Sequence, residues 1–295
     1  MPYPTVSAPY GLKPVNLIGG QVFAGSTRNI PIQYGYATNI FYGDFVAITR
    51  GFATRLAVTD GGTAATGAPG YGQVGIFLGC SYTDPTTKQK RFAQYWPAST
   101  LAGDAVAIVT DDPDTVFKAA VVTTQGGTTI GSASRAMIGL NMTISNLAGN
   151  ANTGNSSNGI LASSAATTAA LPVRVIDVVP DTSVALGTAT WSSGTTTLTT
   201  SALTQALPVG TEVGFLAANG QYVGTGNWVS TAASAGATSV VVNAQYGTMN
   251  AGGAAATATA IPANSTLVFT QFPEVLVKIN FANHSYYTAL GTQTA

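Results

Sequence analysis

Four groups of residues in this chain carry side chains able to do chemistry. Asp111-Asp112-Pro113-Asp114 places three carboxylates within four residues, and a calcium ion takes about six to eight such oxygens. The alternating ligand spacing of an EF-hand is absent, as are its turn glycine and closing bidentate glutamate. Pro113 favours a plain turn. His284 is the only histidine, beside Ser285, so any Ser-His-Asp triad has to use this one base. No G-x-S-x-G, P-loop or H-E-x-x-H pattern occurs. Only two glutamates, Glu212 and Glu274, are present, and paired-carboxylate glycoside chemistry draws on few acids. The expectation is no enzyme, with no catalytic, cofactor-binding or metal-binding residues.

The fourth group is Lys88-Gln89-Lys90-Arg91-Phe92-Ala93-Gln94-Tyr95-Trp96, where bases interleave with aromatics. That pattern suits phosphate pairing and base stacking. It better suits an exposed strand with its bases in water and Phe92 and Trp96 on the opposite or inward side, and contact with an acidic protein surface is compatible with either geometry. Eleven acids balance eleven bases, and nucleic-acid binding needs a basic excess. No nucleic-acid partner is expected, and Lys88, Lys90 and Arg91 are candidates for protein contact. Cys80 is the sole cysteine, expected as a small buried hydrophobe.

Only 7% of residues are charged, against about 25% in a typical soluble domain. Little self-repulsion keeps copies apart, so assembly is favoured. No run approaches the roughly 20 apolar residues of a membrane-spanning helix, and Met1–Pro14 lacks the basic start and apolar core of a signal peptide. No membrane partner is expected.

The stretch Thr38–Pro85 organises the chain. Ile40–Ile48 surrounds a Gly43-Asp44 turn, Leu56–Val58 runs into Gly61-Gly62, and Gly72–Cys80 is a nearly continuous apolar run. Short apolar runs punctuated by Gly, Pro and Asp predict a mainly β protein with an antiparallel barrel or sandwich core. Gly103-Asp104 and Gly210-Thr211 echo Gly43-Asp44 as turns before strands. Ile138–Ile144 and Leu171–Val179 are further expected strands. Residues 1–20 hold four prolines and read as an extended arm whose Tyr3, Val6, Tyr10, Leu12, Val15 and Leu17 contact another subunit. From Thr182 to Thr266 Glu212 is the only charge, and the strand rhythm changes, with a hairpin signal at Asn219-Gly220. The expected organisation is arm 1–20, core domain 21–181 plus 267–295, and a small β-sandwich-like inserted domain 182–266.

The order I-x-Y-G-D-x-V from Ile40, GYGQVGIFLGCSYTDP from Gly70, Gln94-Tyr95-Trp96-Pro97 and GDAVAIVTDDPDTVFK from Gly103 resembles structural proteins of tailed bacteriophages. It is most similar to the decoration (cement) proteins outside the capsid shell in phages of cyanobacteria and marine bacteria. The resemblance covers roughly residues 1–180 and returns at Pro273–Gly291. It rests on pattern and order, with no single motif as specific as a metal-ligand quartet. It implies a virion location, the major capsid protein as partner, and a homotrimer that stabilises capsomer contacts. The alternative is a head fibre or tail adhesin, for which Trp191, Tyr222, Trp228 and Tyr246 of the insert could form sugar platforms.

Overall fold

The computed structural model describes residues 6–56, 73–168, 171–179, 183–190, 195–204, 206–243, 247–249, 255–258, 266–280, 284 and 286. The protein is mainly β and divides into two units. The first contains Val6–Ile130, Gly139–Asp177 and the chain from Val275 onward; the second contains Gly131–Ile138 and Val178–Glu274.

In the first unit, chain order brings β1 (Lys13–Leu17), β2 (Arg28–Pro31), β3 (Phe45–Thr49), β4 (Phe52–Arg55), β5 (Gln73–Thr83), β6 (Lys90–Ala93) and β7 (Val106–Thr110). Five of these form an antiparallel sheet ordered β2-β7-β5-β3-β4, with β6 on the outer part of β5. The sheet curls until it is nearly a closed barrel. Val46, Val74, Phe77, Trp96 and Val109 fill its core, with Cys80 beside them. Closure needs Gly75, because a Cβ there would lie 1.9 Å from the Thr110 carbonyl oxygen. Residues 57–58 of the expected Leu56–Val58 strand, and Gly61-Gly62, lie outside the described residues.

A second sheet of this unit uses β8 (Thr115–Val122), β9 (Asn141–Met142), β10 (Ile144–Ser145), β11 (Gly159–Leu161) and β12 (Val173–Val178), plus the Glu274–Ile279 strand. Its order is β10-β11-β8-(274–279)-β12-β9, with β1 also on β8. The single expected strand Ile138–Ile144 is instead two short strands, β9 and β10. They pair with different neighbours, Met142 with Val173 and Ile144 with Ile160, so the chain must turn between them.

A buried carboxylate ties this unit together. Gly43 has φ +91°, and a Cβ there would come within 2.9 Å of the Leu12 nitrogen. A Cβ on Gly11 would meet Ser156 Cβ at 2.7 Å. Three segments cross at these glycines, and Asp44 lies at the crossing with no solvent exposure. Ser156 Oγ and Asn158 Nδ2 donate to Oδ1 at 2.6 and 3.0 Å. The Phe41 N–H donates to Oδ2, and Arg55 Nε lies 2.9 Å from the same oxygen. Arg55 Nη2 continues the network by donating to the Leu147 carbonyl at 2.8 Å. Burial raises the Asp44 pKa, while Arg55 and the hydrogen bonds pull it back. Asp104, in the echoing Gly-Asp pair, is half exposed and instead accepts from Thr83 N–H and Lys90.

The second unit contains β13 (Ser183–Thr190), β14 (Thr197–Thr200), β15 (Glu212–Leu216), β16 (Tyr222–Trp228), β17 (Ser239–Val241), β18 (Gly247–Met249), β19 (Ala255–Ala258) and β20 (Thr266–Thr270). One sheet runs β16-β15-β20-β13-β14-β17, and β18-β19 form a separate pair. Leu198, Leu207, Val213, Phe215, Val240, Leu267 and Phe269 share its core. The sequence reads Leu267–Phe272 and Glu274–Phe281 as strands closing the core domain's sheet; the Glu274–Ile279 strand does join the first unit's second sheet, whereas Thr266–Thr270 pairs with β13 and β15 instead. Its inward Leu267 and Phe269 are what seat it there. The Gly131–Ile138 segment also belongs to this unit, with Ala133 N–H donating to the Phe272 carbonyl at 2.9 Å. Asn219-Gly220 does lie in a hairpin loop, joining Leu216 to Tyr222 with Gly220 at φ +81°.

Breaking one member of a buried ion pair leaves an uncompensated charge, typically at a cost of about 3–5 kcal/mol. Asp44→Ala is therefore expected to lower unfolding free energy by about that amount. Asp44→Asn, which keeps the shape and part of the hydrogen bonding, should cost less. Urea unfolding of both variants checks the order.

Candidate interaction surface

Two hairpins of the first unit gather the sequence-predicted contact residues. Residues 9–17 of the N-terminal segment pack on their own subunit. Leu12 is fully buried and its N–H donates to the Gly43 carbonyl at 3.1 Å, and β1 pairs antiparallel with β8, with a register shift between Pro14 and Asn16. Proline is tolerated on such an edge strand, where its missing N–H removes no ladder bond. The expectation that this segment lacks an element of its own to pack on is corrected for residues 9–17, where Pro9 and Leu12 are buried. Tyr10 is half-buried, with Lys13 Nζ 4.4 Å from its ring centroid. Val6 and Leu17 are half-buried too, and Tyr3 lies outside the described residues.

What this segment leaves outside is a short apolar ridge. Leu17 N–H donates to the Gln21 carbonyl, closing a turn that bridges Asn16 to Val22. Val15 and Ile18 are each 45% exposed and Val22 is 81% exposed. Of the six arm candidates, Val15 alone belongs to this ridge. Ile18 and Val22 join it because the turn at Gly19-Gly20 folds the chain back.

The second hairpin joins β5 to β6 and holds Lys88, Lys90 and Arg91 together. Asp84 organises its turn, accepting from Thr86 N–H at 2.8 Å and Thr87 N–H at 3.2 Å through Oδ1. Its Oδ2 takes Arg91 Nη1 at 2.9 Å. Lys90 Nζ lies 2.8 Å from Asp104 Oδ2. The turn N–H groups and Arg91 lower the Asp84 pKa, and Lys90 with Thr83 lowers that of Asp104. Lys90 and Arg91 are thus neutralised within the chain. Lys88 is exposed and has no ion pair among the described residues.

Lys88 also has φ +59°, a left-handed conformation that costs a residue with a Cβ about 1–2 kcal/mol. Glycine would fill that backbone position without strain. A lysine held there presents a cation at the hairpin's tip. Behind it Phe92 is 81% exposed, so of the two aromatics read as lying on the opposite or inward side it is not the inward one. Trp96 alone goes inward, fully buried and edge-on to Tyr82 at 5.4 Å. Edge strands commonly carry lysine, which discourages pairing with other chains. Phe92 borders an open concavity of about 480 Å³ lined also by Leu78, Gly79, Ala93, Gln94 and Ile108. Cys80 is at its floor, where burial pushes the thiol up to about 12 and keeps it unreactive at neutral pH.

The remaining chemical candidates are engaged locally. Asp111 pairs with Arg28 at 2.9 Å and accepts from the Tyr286 hydroxyl, Asp112 Oδ1 accepts from Asp114 N–H, and Asp114 pairs with Lys278 at 3.2 Å. No group of three metal-ligating side chains occurs among the described residues. Ser285, Trp191 and Tyr246 lie outside them, and Trp228 is half-buried. In the second unit, Glu212 is buried 3.6 Å from Arg135, whose guanidinium lies over Phe272.

Lys88→Gly should relieve the backbone strain, leaving the protein as stable as the parent or up to about 1 kcal/mol more stable. Thermal melts compare the two, and a drop in stability would show that Lys88 is held by contacts rather than strained. No family model, curated protein or solved structure matches the chain, so the functional reading rests on these surfaces and on the ordered sequence pattern.

Proposed function

We propose that this chain is a non-enzymatic structural subunit of a tailed-phage particle, a decoration protein that binds the outer capsid surface and bridges capsomers. The observation that carries the contact assignment is the β5–β6 hairpin: Lys88, without an ion pair among the described residues, held in a strained backbone position beside an exposed Phe92. The resemblance of roughly residues 1–180 and Pro273–Gly291 to phage decoration proteins supplies the partner, the major capsid protein. Low charge supports association with further copies, for which a homotrimer is the expected state.

No chemistry is needed. A large apolar side chain moved out of water contributes about 1.5–3 kcal/mol, whereas an exposed ion pair contributes about 0–1 kcal/mol. Phe92 therefore supplies most of the hairpin's affinity, and Lys88 orients it toward an acidic patch. The Val15–Ile18–Val22 ridge serves contact between copies. Linked copies that engage a lattice together gain avidity without any new contact.

Phe92→Ser combined with Lys88→Glu should reduce occupancy on purified particles on the order of tenfold or more, measured by sedimentation of particles with added protein. Lys88→Gly alone should reduce it less. Undiminished binding by the double variant would remove the hairpin from the contact. Val22→Asp should lower the oligomeric mass seen by light scattering while leaving the circular dichroism spectrum unchanged; an unchanged mass would remove the ridge.

A further inference from the structure

We infer that His284 is an acid-sensitive latch that holds Tyr286 against one end of the first unit's barrel. His284 is 1% exposed. Its backbone bridges to Gln73 at the start of β5, and Gln73 is itself fully buried, with Nε2 donating to the Pro172 carbonyl at 2.8 Å. His284 Nδ1 accepts the Tyr286 N–H at 3.2 Å, and the two rings lie 4.8 Å apart. Tyr286 then reaches the barrel rim, where its hydroxyl donates to Asp111 and its ring lies under Arg28 at 5.4 Å. One imidazole thus joins the docked backbone to a rim built from β2 and the β7–β8 turn.

That geometry requires neutral imidazole. Nδ1 can accept the Tyr286 N–H only while it carries no proton, and a buried cation is costly without full pairing. Among the described residues, the groups facing His284 are the Asp111 backbone, which hydrogen-bonds the imidazole, the Asp111 and Asp112 carboxylates of the β7–β8 turn, Arg28 of β2 and the Tyr286 phenol, with uncharged Gln73 on β5. Arg28 and Tyr286 already engage the Asp111 carboxylate, which weakens its pull on a second cation. Burial accordingly dominates and lowers the His284 pKa, despite the opposing effect of the two aspartates. The Tyr286 phenol is pushed up to about 12 and keeps its proton.

The sign follows from linkage. An undocked His284 has the ordinary value of about 6.5 and binds protons more readily than the docked one. Docking stability is complete above that value and falls as the pH drops toward the lowered docked value, by up to about tenfold per pH unit. Acid would release Tyr286, free Asp111 and Arg28, and open the polar barrel end at Gln73.

The single histidine makes the test direct. In the full-length protein, the His284 Cε1–H resonance is followed by NMR against pH, together with hydrogen-exchange protection of the Tyr286 amide corrected for intrinsic rate. The expected result is a histidine midpoint below about 6.5 and a fall in Tyr286 protection of up to about tenfold per pH unit across the same range. His284→Asn, whose Oδ1 can accept the Tyr286 N–H but cannot take up a proton, should keep its protection in acid. An ordinary midpoint, or wild-type protection unchanged between neutral and acid pH, would overturn the latch. So would loss of protection at the same pH in His284→Asn. If His284→Asn fails to dock at neutral pH, coincidence of the two wild-type curves decides: coincident curves support the latch and separated curves overturn it.

Discussion

The first unit depends on one fully buried carboxylate. Asp44 is buried where residues 11–12, the β3 approach and the loop at 156–158 cross, and each segment is held through it or beside it. An ionised group in that position is tolerable only with donors on both oxygens, and Ser156, Asn158, Phe41 N–H and Arg55 surround them. The consequence reaches far along the chain. Residues 146–158, rich in Asn, Ser and Gly, have few apolar side chains to anchor them. Their order comes from this network: Tyr42 N–H donates to the Gly154 carbonyl, Ser156 N–H to the Tyr42 carbonyl, and Leu147 N–H to Asn158 Oδ1.

Legibility in the sequence followed local periodicity. The apolar run that became β5 and the alternation of β12 are visible because each reports the burial of its own residues. The same signal misassigned Leu267–Thr270. Its alternation shows that one face is buried, but not which of two cores receives it. Gly43-Asp44 and Gly103-Asp104 are identical in sequence, yet one aspartate is a buried hub and the other an exposed partner of Lys90. The difference lies in Ser156 and Asn158, more than a hundred residues away, and no local pattern encodes it.

The candidate surface was legible in part. Clustered bases at 88–91 could be read directly, but two facts that give the cluster its character could not. Asp84 and Asp104 neutralise Arg91 and Lys90, and Lys88 adopts the left-handed conformation that makes its side chain conspicuous. The exposure of Phe92 was not legible because strand alternation assumes both faces are defined by a core, whereas β6 is an edge strand paired with β5. The N-terminal segment shows the converse. Its apolar residues suggested a partner outside the subunit, but Leu12 found one inside, leaving Val15, Ile18 and Val22 as the outward remainder.

On the proposed reading, the protein is a subunit that works by shape and burial, and its low charge lets copies lie close together. The measurement that tests this proposal most directly is an electron-microscopy map of the phage particle to which the proposal assigns the chain, with copy number from quantitative mass spectrometry. The account predicts many copies at equivalent positions on the outer shell lattice, with the β5–β6 hairpin against the major capsid protein. A few copies confined to a vertex or the tail would contradict it and favour a fibre or adhesin, and absence from the particle would end the structural reading altogether.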